Sequence, residues 1–466
     1  MYSLVSSINN VLWGHILVYL LLVAGVWFSV RLKFVQVGGF KHMFTLLKQS
    51  RQSDSLGISS FQALCTSLSA RVGTGNLAGV AIAISVGGPG AVFWMWVIAF
   101  LGMATAFAES LLAQVYKVKN SAGEYRGGPA YYIKQGLNSK LLAVLFSISL
   151  MFGYTLVFNA TQANTIVDAL NHSYGFSQLM SGVVVTVVAG FIVIGGLRSI
   201  ARFSELVVPI MALIFVATVL VITLLNAAQV PALIIEIVRS AFGLQEVAGA
   251  TFAAAVQNGI KRGLYSNEAG AGSVPQAAAA ASPKPNHPAT QGYIQMLGVF
   301  IDTMVICTCT AVVIMLAGGY AGVEMTGIRL TQDAMTSHMG SVGGHFVAIA
   351  ITLFAFTSII GNYAYAESNL HFFKLDNRVG RSIFTAIFLG MTLLGTQLEL
   401  KLVWAMADMA FGLMAVINVV AIMLLTPTIY AVAMHYQAQR RQNKEPRFKQ
   451  GSVRVQGRLE EKIWTD

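Results

Sequence analysis

Apolar runs long enough to cross a bilayer recur along this chain from one end to the other, and no other feature constrains its fold as strongly. A run of about 18 or more apolar residues spans the hydrocarbon core as a helix. Inside lipid every backbone N–H and C=O needs an internal partner, which leaves only helices and closed barrels. A barrel strand alternates apolar and polar positions, and these runs do not. Charged residues make up 11% of the chain, against about 25% in soluble domains. The expected class is an all-α polytopic membrane protein. Eleven spans are expected, near 12–30, 60–87, 90–116, 141–169, 177–196, 205–226, 243–263, 290–318, 343–371, 381–396 and 402–434.

The net charge of +11 does not point to nucleic acid, because the basic residues sit in short loops between spans. Arg31, Lys33, Lys41, Lys48 and Arg51 follow the first span, and Lys117, Lys119, Arg126, Lys134 and Lys140 follow the third. Further pairs and triplets follow the fifth, seventh and ninth, whereas the opposite loops carry only Arg239, Arg329 and Lys401. Cytoplasmic loops are the basic ones, so the N-terminus is expected outside and the C-terminus in the cytoplasm, as an odd span count requires. Residues 1–436 are expected to form one transmembrane domain. The tail, 437–466, is polar and basic and reads as a solvated, partly disordered cytoplasmic end. No cleavable signal is evident, and Arg31 and Lys33 after the first run mark it as a true span. Cys65, Cys307 and Cys309 lie inside apolar runs and read as small core residues.

The second span is unusual. It contains Ser69-Ala70-Arg71-Val72-Gly73-Thr74-Gly75-Asn76. Glycines two apart at mid-membrane are poor for an unbroken helix and suit one that unwinds and restarts. Unwinding frees carbonyls for a cation and N–H groups for an anion, and the restarted half-helix aims its positive end at a carboxylate. Close packing on small residues accounts for Gly73 and Gly75 but not for Thr74, Asn76 and Arg71 beside them. The seventh span opens on Gly249-Ala250-Thr251-Phe252, five spans later. Glycine-interrupted spans at matching positions point to an inverted repeat, with repeats of about 60–226 and 243–434 and the first span outside both. The fourth span carries Asn159, Thr161, Gln162 and Asn164 at depth, and the ninth carries Thr357, Ser358 and Asn362. Adjacent hydroxyls suit a hard cation, although Ser and Thr also bond back to their own helix. Glu109, Glu205, Asp302, Glu367 and Asp408 are the acids in or near spans. They are read as structural pairs or gating groups, within reach of Arg262, Lys374 or Arg202.

Four stretches carry a resemblance over nearly the whole chain except the tail. They are Ala70–Ala81, Gly87–Trp96, Arg126–Ala130 and, most specific, Gly263-Leu264-Tyr265-Ser266-Asn267-Glu268-Ala269-Gly270-Ala271-Gly272-Ser273. The sequence resembles the alanine/glycine:cation symporter family, also called sodium:alanine symporters, within the amino acid–polyamine–organocation superfamily. The resemblance implies a leucine-transporter-type 5+5 inverted repeat with one extra N-terminal helix. It implies that the segment Gly73, Thr74, Gly75 and Asn76 holds an amino acid's carboxylate and amine. Gln162 would reach the substrate, and the stretch from Gly249 to Phe252 would line the pocket. It implies a sodium ion between carbonyls near Ser69 and Val72 and the hydroxyls of Thr357 and Ser358. Ser266-Asn267-Glu268 would be a cytoplasmic gate or scaffold. Many family members carry Trp where this chain has Asn362, which leaves the pocket's size open. Arg71 is unexplained at this level. The implied activity is sodium-coupled uptake of alanine or glycine by a monomeric transport unit, in a bacterial inner membrane, with no cofactor beyond the coupling ion. A proton-coupled transporter of another small solute is the alternative. A channel would show pore-loop filters or charged rings, and an enzyme would cluster its His, Cys or carboxylates at one membrane face; neither pattern is present in the sequence.

Overall fold

The computed structural model describes residues 2–52, 57–120, 123–244, 251–320, 327–461 and 463–465. Among them the chain is mostly helical, and seven helices are long and apolar enough to cross a membrane. Helix α1 (Tyr2–Arg31) ends in two left-handed residues, Lys33 and Phe34. They turn the chain into the amphipathic α2 (Phe40–Gln49). Helix α3 (Ser60–Arg71) starts at a reciprocal cap, in which Ser59 and Gln62 each accept from the other's backbone N–H. A break at 72–74 separates it from α4 (Gly75–Gly87). Helix α5 (Gly90–Val115) follows, then a two-residue hairpin, β1 (Val118–Lys119) with β2 (Tyr125–Arg126), and the short α6 (Pro129–Gly136). Helices α7 (Lys140–Tyr174), α8 (Gln178–Val193) and α9 (Gly196–Leu225) complete the first half.

The surface helix α10 (Val230–Ala241) leads to the second half. There α11 (Phe252–Asn267) and α12 (Pro275–Ala280) are again separated by a break. Then come α13 (Pro288–Ala317), the short α14 (Ile328–Met339), α15 (Ser341–Phe372), α16 (Arg378–Gly395) and α17 (Leu400–Leu424). Both halves therefore run in one order: a broken helix, a long one, a short one, a long one, and two more. Helix α5 is enclosed by α11 and α13, while α3 packs on α9 and α15.

Two expectations are corrected. The apolar run 402–434 is not one helix: α17 stops at Leu424, and α18 (Thr426–Arg441) restarts with Pro427 in its first turn, where a missing N–H costs nothing. The tail is not a loose end. Phe448, Ile463 and Trp464 are buried. Trp464 Nε1 donates to Gln114 O (3.2 Å), and Tyr116 Oη donates to Gln456 O (2.6 Å). Arg458 N donates to Gln135 O and Phe448 N to Asn286 O. Lys117 Nζ lies 4.6 Å from the centre of the Trp464 ring. A basic composition concealed three apolar anchors that strap the tail across the ends of α5, α6 and the loop before α13. Truncating a buried Trp costs about 3–5 kcal/mol. Trp464→Ala is therefore expected to release the tail, seen as rapid tryptic cleavage between Arg441 and Arg458 that the native protein resists.

Candidate functional site

The centre of the molecule is built on the break between α3 and α4. Val72 leaves the helix with φ −78° and ψ 90°. Unwinding frees backbone groups that lipid cannot satisfy, and side chains from elsewhere take them up. Gly73 N donates to Asn76 Oδ1 (2.9 Å), and Thr74 N donates to Gln162 Oε1 (3.0 Å) from α7. Glycine is required at Gly73 because a Cβ there would sit 2.3 Å from Ser358 Oγ and 2.7 Å from Gln162 Oε1. Gly75 lets the turn rest on the Ser266 backbone, 3.0 Å from where its Cβ would be.

On the other side of the break α15 approaches. Ser358 Oγ donates to Val72 O (3.3 Å) and to Phe354 O of its own helix (3.0 Å). Thr357 Oγ1 donates to Phe354 O (2.9 Å) and Ser69 Oγ to Thr66 O (2.7 Å), so both bond back along their helices. Gly361 brings the two helices together, since its Cβ would meet Ser69 Oγ at 2.7 Å. Ser69, Val72, Thr357 and Ser358 are all fully buried at this crossing.

A second break lies where the sequence was not read as broken. Helix α11 runs unbroken from Phe252 to Asn267. The chain then passes through Glu268, Gly270 and Gly272, all with positive φ (56°, 88° and 81°), before α12 starts at Pro275. Glu268 accepts from Tyr154 Oη (2.7 Å) and Ser273 Oγ (2.9 Å). Gly270 N donates to Glu109 Oε1 (3.1 Å), whose other oxygen accepts from Asn418 Nδ2 (2.8 Å). The motif read as a gate or scaffold is thus the interior of the fold. Phe252, expected at the pocket, is instead half exposed, its ring 6.1 Å from that of Trp94. Gly249 lies outside the described residues. Asn76 faces α13, where its Nδ2 donates to Asp302 Oδ1 (2.7 Å).

A small cavity lies between the two breaks. Its volume of about 10 Å³ leaves room for roughly one water. Tyr154, Phe158, Tyr265 and Phe411 form the aromatic wall, and Gln162, Asn362, Arg71 and Glu268 the polar one. Asn362 Nδ2 donates to Asn159 Oδ1 (3.1 Å). Arg71 is buried, and only its Nη1 has a partner, Gln295 O at 3.3 Å. Its Nε and Nη2, with Thr74 Oγ1 and Tyr265 Oη, are buried polar atoms without a hydrogen-bond partner among the described residues. Such atoms are the ones a polar ligand satisfies. The aromatic residues were not singled out in the sequence, because a Tyr or Phe in an apolar span carries no polar signal. The π-helical turns at Gly75–Gly79, Phe152–Val157 and Phe300–Cys307 were likewise invisible, although such turns often occur at functional sites. They re-aim Tyr154 toward Glu268 and Asp302 toward Asn76.

Among the other acids, Asp408 is held by both Arg262 terminal nitrogens (3.1 Å each) and by Lys261 (2.5 Å). Glu367 pairs with Arg381 (3.6 Å), and Glu205 accepts from Gln62 Nε2 (2.9 Å).

Helices broken at the centre of the bundle, with a small cavity between the breaks, define a multi-pass helical membrane protein. Residues 1–450 match the sodium:alanine symporter family, and the chain belongs to that family. It is 47% identical to the uncharacterized transporter YaaJ of Escherichia coli (strain K12), over 95% of this chain and 94% of that one. It is 42% identical to the probable sodium/glutamine symporter GlnT of Bacillus subtilis (strain 168), over 96% and 92%. It is 37% identical to the sodium/alanine symporter AgcS of Methanococcus maripaludis, over 92% and 95%. The protein is a membrane transporter of amino acids and not an enzyme.

A methyl group at Gly73 has to push Ser358 or Gln162 aside, and overpacking costs about 1–3 kcal/mol. Gly73→Ala is expected to abolish transport and lower thermal stability. Gly79→Ala, whose Cβ would meet nothing closer than 3.6 Å, is expected to leave both near wild type in parallel uptake and melting measurements.

Proposed function

We propose that this protein takes up small neutral amino acids, alanine and glycine foremost, coupled to sodium by alternating access across a bacterial inner membrane. The single observation that carries the reading is the Ser358 hydroxyl on the Val72 carbonyl at the helix break. It places hydroxyl and carbonyl oxygens of two spans at one buried point, as a hard cation requires. In this reading sodium takes its oxygens from Ser69, Val72, Thr357 and Ser358. The freed amides at Gly73–Asn76, with Gln162, take the amino acid's charged ends. Binding requires Gln162 and the aromatic wall to move apart, since a cavity of about 10 Å³ does not hold an amino acid.

The matching order of elements in the two halves supports a 5+5 inverted repeat of about 60–226 and 243–434. That gives eleven spans in one transmembrane domain, with the first span outside the repeats, an outside N-terminus and a monomeric transport unit. Sodium would complete the substrate site in the outward-facing state, and one repeat bundle would then rock against the other. At about 100 mV, inward movement of one charge supplies roughly 2.3 kcal/mol. Proton coupling is the second reading, favoured by the buried acids Glu109, Glu268 and Asp302 beside the site.

Uptake of labelled alanine into proteoliposomes tests both readings. An inward sodium gradient is expected to drive uptake in the wild type and not in Ser358→Ala. Equal uptake driven by a proton gradient alone would overturn sodium coupling. Absence of alanine and glycine uptake under any gradient would overturn the substrate assignment.

A further inference from the structure

A second cavity lies at the end of α1, far in sequence from the central breaks. Its volume is about 340 Å³, and its walls come from the α1–α2 turn, α13 and the end of α18. Three cations line it, Lys33, Arg440 and Arg441, with Gln437 and Tyr293, and no acidic side chain does. None of the three cations is in an ion pair among the described residues. The cavity has a built floor. Gly39 admits the Tyr293 ring, which a Cβ there would meet at 2.5 Å, while Gly38 opens onto free space. Lys33 is held at its rim by a left-handed backbone, φ 56°, which a side-chain-bearing residue adopts only when its surroundings impose it.

The setting identifies the ligand. Val23, Val26 and Val30 form an exposed apolar stripe along α1 that ends at the cavity, and Trp27 lies on the same helix with its Nε1 on Thr426 Oγ1 (3.1 Å). Trp gathers where hydrocarbon meets headgroups. Phe34, Val37, Phe40 and Phe44 are also exposed around the α1–α2 turn, as on a helix lying in the interface. The cations therefore stand at headgroup depth, at the end of a surface that acyl chains cover.

We propose that this cavity binds the headgroup of an anionic phospholipid, its phosphate taken by Lys33, Arg440 and Arg441 and its chains lying along Val26 and Val30. Basic pockets of this kind between spans bind anionic headgroups. The bound lipid would tie the end of α1 to α18 and so to the docked tail.

The test is saturation binding of phosphatidylglycerol to the purified full-length protein in mixed micelles, read by native mass spectrometry. Phosphatidylcholine and inorganic phosphate serve as separate probes. Each cation near an anionic headgroup is worth about a factor of five. The triple variant Lys33→Gln, Arg440→Gln, Arg441→Gln is therefore expected to lose on the order of a hundredfold in phosphatidylglycerol affinity. The variant Arg454→Gln, Arg458→Gln changes tail cations outside the cavity and is expected to bind as wild type. Unchanged binding in the triple variant overturns the proposal, as does equal binding of phosphatidylcholine. Phosphate alone binding as tightly as the lipid would make this a free-anion site and overturn it too. Monodisperse elution of both variants separates lost affinity from lost folding.

Discussion

Everything at the centre of this molecule depends on keeping an unwound turn satisfied where there is no water. At Gly73 and Thr74 the second span gives up helical hydrogen bonds of its own, while Val72 N still donates to Leu68 O. Asn76, Gln162 and Ser358 replace them from three directions. Each replacement comes from a different helix or from the far side of the break, so the turn can exist only when α4, α7 and α15 are packed around it. The bundle holds the turn, and the turn in turn specifies how the helices pack. Gly73 and Gly361 set the closest approaches, and a side chain at either would force the helices apart. A ligand that takes over any of these bonds changes the packing of the helices that supply them, and that connects binding to a conformational step.

The second break is satisfied by different means. Here carboxylates do the work: Glu109 and Glu268 accept from backbone and hydroxyl groups of the turn, and Asp302 anchors Asn76 and Ser266. One cation, Arg71, lines the same cavity as Glu268. Intramembrane charge is expensive, and three acids against one arginine leave a negative balance if all are ionised. A bound cation or a proton would relieve it.

The first break was legible in the sequence because its signal is local: two glycines, flanked by Thr74 and Asn76, in an apolar run. Of the hydroxyl pair singled out in the ninth span, Ser358 reaches the break at Val72 O, whereas Thr357 bonds back to Phe354 O. Gly249, where the sequence pointed, lies outside the described residues, and the break at Glu268–Val274 was not read as one. Its glycines, two apart like the first pair, sit in a polar stretch that reads as a surface loop, and only tertiary packing buries it. The tail failed in the opposite sense. Its charges are real, but three apolar residues dock it. The aromatic wall, Tyr154, Phe158, Tyr265 and Phe411, had no signal, because a Tyr or Phe in an apolar run carries none, and at Tyr154 a π-helical turn also shifts the facing of the helix without changing its composition.

The central claim is that the crossing of the broken second span with α15 is where the coupling ion binds. Hydrogen exchange of the purified protein in sodium and in potassium, without substrate, addresses it directly. The account predicts that sodium slows exchange at the amides of Gly73–Asn76 and in the α15 turn around Ser358, and that potassium does not. Identical exchange in the two salts across these segments would contradict it.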